Sequence, residues 1–196
     1  NIRVKDGSVQ GVNDFVASFG IHSSYPNGEV VALTQWSPSG SNFLNIAYVI
    51  KDVDSTTGTK GRTFVYSTDT STHVEITNAD TVANFEIDEQ YPPQLFVFNG
   101  ILICNPATGT PQWIAADAET LGSLAPLPNW ITYSRDDQSG IVDRAFCRIL
   151  RPFKNRLVAM SFVNSKNTAT TVDDSVYPID FVWSSPIISP ETLTGV

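Results

Sequence analysis

Residues 95–104 read Leu-Phe-Val-Phe-Asn-Gly-Ile-Leu-Ile-Cys, and this stretch decides the fold class. Asn99-Gly100 supplies the two positive-φ positions of a type I′ turn, whose twist matches that of paired strands. The flanking runs Leu95–Phe98 and Ile101–Cys104 are short, apolar and rich in strand-forming residues. Together they predict an antiparallel hairpin. Neither run alternates polar with apolar, so both faces of the hairpin are expected to lie under other parts of the protein.

Strand signals recur on either side. Glu29–Trp36 and Phe43–Ile50 are split by Ser37-Pro38-Ser39-Gly40. A polar loop is expected over 51–61, then short strands at Arg62–Ser67 and His73–Thr77. Past the hairpin come a turn over 105–110 and a strand at Gln112–Ile114; residues 115–121 make the one passable helical turn. Arg144–Leu150 and Leu157–Val163 read as strands joined around Pro152-Phe153-Lys154-Asn155, and Tyr177–Ser184 follows a polar loop.

These strands fall into three approximate units, 29–77, 84–118 and 142–185, within one β-rich domain over 1–196. Units of about 40–50 residues with three or four strands each are the sequence sign of propeller blades. The expected fold is all-β, a propeller-like array of antiparallel blades, with a β-sandwich as the alternative. Propellers close with roughly 4–8 blades. Three units leave the array incomplete, so further blades belong to a longer chain or the units join an open or partnered assembly. The chain begins in polar text, Asn1-Ile2-Arg3-Val4, and its one Met is Met160, which points to a piece of a longer polypeptide or to a processed one.

Composition narrows function. Charged residues are 16%, against a usual quarter, and the net charge is −8 from 20 acidic and 12 basic residues. Tight binding of nucleic acid needs a surplus of Lys and Arg, so this chain on balance repels DNA, and it equally repels an anionic membrane surface. No run approaches the ~18 apolar residues of a membrane span, so membrane insertion is not expected. Repulsion suits a channel through which DNA slides without sticking.

Reactive constellations are few. His22 and His73 have no His or Cys at metal-ligand spacing, and Asp52-x-Asp54 and Asp173-Asp174 lack the rest of a calcium loop, so they read as solvated loop carboxylates. No Gly-x-Ser-x-Gly elbow and no phosphate-cradling glycine loop is present. No catalytic residue, metal or cofactor is expected. Cys104 and Cys147 lie in apolar runs and read as buried thiols. Trp36, Trp113, Trp130 and Trp183 recur at strand ends, where core aromatics belong; sugar stacking is the other reading. One charge feature stands out. Arg144, Arg148, Arg151, Lys154 and Arg156 place five of the 12 cations within 13 residues. If strand alternation holds, Arg144 and Arg148 share a face. The cluster is either a solvated strand face salt-bridged to nearby carboxylates or a contact to an acidic neighbouring subunit or to passing DNA phosphate. The subunit is favoured, because interfacial arginine forms bidentate carboxylate pairs.

Several phrases resemble one virion family when taken in order. They are LFVFNGILICNPATGTPQWIA (95–115), LPNW (127–130), CRILRPFKNRLVAM (147–160) and YPIDFVWSSP (177–186), with IRVKDGSVQGVN (2–13) as an opening. They look like the tail nozzle, tail tubular or tail-stabilisation propeller proteins of short-tailed bacteriophages. In that family a hairpin like LNG-VLVLNNG precedes a Trp and an N-W-P phrase. An R-x-F-x-N-x-L-V-A-L/M strand and Y-P-x-x-V-x-W-S follow. The chain departs in having Ile131 after Asn129-Trp130 and in lacking an Asp-Pro after Trp183. The resemblance implies a non-enzymatic virion structural protein, made in the host cytoplasm and placed in the tail. It implies a ring around the DNA exit channel, with copies of itself and other tail or portal-adaptor proteins as partners, and non-specific contact with passing genomic DNA. The alternatives are a carbohydrate- or receptor-binding β-domain and a sugar-active propeller enzyme.

Overall fold

The computed structural model describes residues 2–5, 8–11, 20–37, 45–54, 58–77, 86–114, 121–128, 130, 132–134, 142–144, 146–163 and 182–184. In chain order the strands are β1 (Ile2–Lys5), β2 (Ser8–Gly11), β3 (Glu29–Trp36), β4 (Asn45–Asp54), β5 (Gly58–Ser67), β6 (Thr72–Glu75), β7 (Gln94–Phe98) and β8 (Ile101–Asn105). They continue as β9 (Gln112–Ile114), β10 (Ala125–Pro126), β11 (Thr132–Ser134), β12 (Val142–Arg144), β13 (Phe146–Phe153), β14 (Arg156–Val163) and β15 (Val182–Ser184). All pairings are antiparallel, and no helix occurs among the described residues. The protein is therefore all-β with antiparallel sheets. The helical turn expected over 115–121 lies, except for Leu121, outside the described residues, as does most of the expected strand at 177–184.

The hairpin at Asn99-Gly100 forms as the sequence dictates. The two residues have φ of 49° and 81°, and Phe98 pairs with Ile101 across the turn. Three sheets matter for the core, with orders β3-β4-β5-β6, β7-β8-β9-β10 and β13-β14-β15. Each is a simple meander. The second lies between the other two. On one side Leu102, Cys104 and Ile114 pack with Trp36, Ala47, Val49 and Val65 of the first sheet. On the other, Phe98, Ile101 and Ile103 pack with Cys147, Leu150, Leu157, Ala159 and Phe162 of the third. This is why β8 is buried along its whole length with no polar alternation. Each fully buried Leu, Ile or Phe contributes about 1.5–3 kcal/mol.

Polar ties fix how the sheets meet. Trp36, at the end of β3, donates its indole N–H to the Gly100 carbonyl at 2.9 Å, which binds the first sheet to the turn of the second. Trp36 and Trp130 are both core residues, and Trp113 packs partly buried against the core between the second and third sheets. Leu124 N–H donates to the Ile76 carbonyl at 2.7 Å, drawing the segment before β10 over the first sheet.

Two expectations need correction. The polar loop expected over 51–61 is mostly strand, because β4 and β5 stay paired out to Asp54 and Gly58. Asp52, expected as a solvated loop carboxylate, sits in this ribbon and accepts from Arg62 Nε at 3.0 Å. Its neighbours Val53 and Thr59 are β-branched and favour extended backbone. Further on, Pro152 and Phe153 belong to β13, and the turn is Lys154-Asn155 alone. A proline fits there because β13 is an edge strand, where no ladder bond needs its missing N–H.

Candidate functional site

The basic cluster divides in the structure. Arg144 ends β12, paired with Thr132 in a separate two-stranded ribbon, while Arg148, Arg151, Lys154 and Arg156 ride on the β13–β14 hairpin. All residues 151–156 are exposed, and Phe153 is 61% exposed at the tip. Lys154 adopts φ of 54°, a left-handed conformation that costs a non-glycine residue roughly 1–2 kcal/mol. Its Nζ lies 5.6 Å from the centre of the Phe153 ring.

Simple alternation, which would put Arg144 and Arg148 on one face, does not hold through β13. Cys147 and Leu150 both face the core although three residues apart, and so do Ala159 and Phe162 opposite them. The pleat is interrupted where Arg148 and Ser161 would pair, and Ser161 has φ of 56°. Two carboxamides take over the hydrogen bonding at this break. Gln94 donates from Nε2 to the Arg148 carbonyl at 2.8 Å and accepts from Leu150 N–H at 2.9 Å. Asn105, fully buried and paired with Gln94 across β7 and β8, donates from Nδ2 to the Cys147 carbonyl at 3.1 Å and to Gln94 Oε1 at 3.4 Å. Second and third sheets are thus stitched together by side chains of β7 and β8 that reach the backbone of β13. Sequence reasoning passed over both carboxamides. The available signal was a polar residue closing each apolar run of the hairpin, which marks a buried group in need of partners.

The break aims Arg148 into a groove. Its guanidinium lies 4.2 Å from the centre of the Tyr91 ring, the geometry of a cation–π contact. The groove encloses about 650 Å³. Its strand-borne walls come from β3 (Ala32, Leu33), β7 (Gln94, Leu95, Phe96) and β13 (Arg148, Ile149, Arg151, Pro152), the first strand of each of the three large sheets. Gln90 to Pro93 complete it, and no Asp or Glu is in its lining. The surface is suited to an acidic or π-rich partner; the lining itself holds no general acid or base of carboxylate type.

A second cluster gathers both histidines of the chain. The rings of His22 and His73 lie 6.2 Å apart on the outer face of the first sheet, among Tyr25, Tyr48, Phe64 and Tyr66. Tyr48 Oη and His73 Nδ1 are 2.7 Å apart. Burial pushes the Tyr48 hydroxyl up to about 12, and burial and then the neighbouring His22 hold His73 below the usual histidine value. Arg62 closes one side, bonded to Asp52 and Glu75 and stacked 4.7 Å over the Tyr25 ring. Nothing in the local text foreshadows this meeting, since the two histidines are 51 positions apart.

Cys104 and Cys147 are free, buried thiols, as expected. Burial pushes Cys104 up to about 12, with the Thr63 hydroxyl pulling weakly the other way, and pushes Cys147 up as well. Neither is poised as a nucleophile, which needs a lowered value. Among the described residues no three His, Cys, Asp or Glu side chains gather to hold a metal ion, and no helix is long and apolar enough to cross a membrane. No protein-family model matches the chain, and no curated protein matches it.

Proposed function

We propose that the chain is a structural component of a short-tailed phage tail, a sector of propeller-like blades that assembles with its own copies into a ring around the DNA exit path. One observation carries the blade reading. Three antiparallel meanders stack face to face, and the first strand of each borders the same groove. Blades of a propeller stack in this way, with their first strands toward a common axis. The middle sheet, buried on both faces, is a repeating unit already flanked by its neighbours. The third sheet offers a further face on which the repeat can continue, while the outer face of the first is covered by Ile21 and Tyr25 of the segment before β3.

The tail assignment rests on the ordered phrases around Asn99-Gly100, Arg151–Met160 and Tyr177–Ser184. The chemistry supports it. A scaffold needs apolar sheets and interlocking surfaces more than a reactive group, and a net charge of −8 per copy disfavours sticking to DNA. Electron microscopy of the purified chain, together with binding on a glycan array, tests the reading. Ring-shaped particles with no glycan bound are expected. A monomer that binds a defined glycan overturns the reading in favour of a carbohydrate-recognising domain.

A further inference from the structure

The charge of this molecule is segregated. Residues 144–156 hold five cations and no anion, while the remaining 183 residues hold seven cations and all 20 anions, a net of −13. Four of the five cations sit on the β13–β14 hairpin, and three of these surround an apolar point. Arg151, Lys154 and Arg156 flank Phe153, which exposes 61% of its surface, the most of any described large apolar side chain in its sheet, whereas Leu150, Leu157 and Phe162 are buried. Two residues, Lys154 and Asn155, form the turn, so the tip is short and held by regular pairing from Phe153–Arg156 back to Leu150–Ala159. At its base, the carboxamides of Gln94 and Asn105 fix β13 to the second sheet.

Buried aromatic and arginine side chains on a rigid support are the usual anchors of a protein interface. A surface combining them with a positive field seeks a negative one. The most abundant surface of that kind available to the hairpin is the body of the chain itself. From this we infer that the β13–β14 hairpin is a docking prong for a second copy of the chain. Phe153 inserts as the apolar anchor, and Arg151, Lys154 and Arg156 meet carboxylates on the acidic body of the neighbour. Prong and acceptor are different surfaces, so the contact is head-to-tail, the type that closes into rings. The inference rests on the ring-forming reading above and names the surface that makes the ring.

Mass photometry and sedimentation on the full chain test it. Three proteins are compared: wild type, the triple charge reversal R151E/K154E/R156E, and Phe153→Ala. All three substituted cations and Phe153 are exposed, so each variant is expected to keep the wild-type circular dichroism. The wild type is expected to form oligomers that dissociate as salt rises from 0.1 to 1 M, since the screening length falls from ~10 Å to ~3 Å. Triple reversal is expected to weaken self-association by ~100-fold, because like charges then face each other. Phe153→Ala is expected to weaken it by about tenfold. If a variant fails to fold, the salt dependence of the wild type still decides. A wild type that stays monomeric at every concentration overturns the ring reading and the inference with it. An oligomer indifferent to salt and to the reversal overturns the inference alone. A 30-base-pair DNA duplex added in an anisotropy assay supplies the remaining outcome. Binding that the reversal abolishes, with the oligomer unchanged, assigns the hairpin to DNA and also overturns the inference.

Discussion

Replacing Asn105 by alanine probes the junction between the second and third sheets. Asn105 is fully buried, and its Nδ2 satisfies the Cys147 carbonyl at 3.1 Å while also reaching Gln94 Oε1 at 3.4 Å. Its Oδ1 is 3.8 Å from the Cys147 thiol. Alanine removes the side-chain donor to a buried carbonyl, at a cost of roughly 1–3 kcal/mol. The weaker contacts and the small void add less. The total is about 3 kcal/mol. For a domain of this size each kcal/mol moves the melting temperature by roughly 2–4 °C, so a fall of about 6–12 °C is expected. Urea unfolding gives an independent reading. With a slope of ~2–3 kcal/mol/M, the midpoint falls by about 1–1.5 M. Gln94→Ala should also destabilise, and the double variant should cost less than the two singles together, because both amides serve one strand. A change within about 0.5 kcal/mol, the range of an ordinary surface substitution, refutes the reasoning that these amides join the sheets.

Four further outcomes are expected. His73 is held below its unfolded value, so its contribution to stability is complete above pH ~6.5. As pH falls below that value the unfolded chain takes up a proton that the folded chain resists, and stability declines. Urea midpoints measured between pH 8 and 5 should show this slope, and His73→Gln should flatten it. Native protein should leave both cysteines unmodified by a thiol reagent such as DTNB, and denatured protein should titrate two thiols; rapid labelling before unfolding contradicts the burial of Cys104 and Cys147. Lys154→Gly should raise stability by about 1 kcal/mol, because glycine adopts the left-handed turn without steric cost, and a lower melting temperature contradicts the turn geometry. Trp36→Phe should cost about 2–3 kcal/mol by chemical denaturation, from the lost bond to the Gly100 carbonyl and the lost volume; a neutral effect counts against that tie.

The parts of this fold that were legible in the sequence are those governed by local chemistry. Asn99-Gly100 announces its turn because few residues tolerate two successive positive φ values. The unbroken apolar text of Ile101–Cys104 announces burial on two faces, and the flanking sheets supply it. What escaped is long-range or disguised. Ser161 adopts a positive φ that sequence flags reliably only for glycine, so the interrupted pleat that turns Arg148 toward Tyr91 was invisible. Pro152 reads as a turn residue when it is in fact tolerated by an edge strand. Gln94 and Asn105 meet β13 only after the second and third sheets have stacked, and His22 reaches His73 only when the segment before β3 folds back over the first sheet. Of the five cations singled out, four prove to share one hairpin, and the fifth, Arg144, lies on another ribbon. The cluster was therefore visible as composition, while its division between a groove and an exposed tip was not.

The proposed blades require that the first strands of the three sheets, β3, β7 and β13, face a common axis. An electron cryomicroscopy map of the particles formed by the purified chain decides whether they do. Further antiparallel meanders are expected to continue the stack beyond the third sheet, with their first strands completing the wall of the groove. A map in which the groove is capped by a helix, or in which the third sheet ends the stack and faces solvent, contradicts the blade reading.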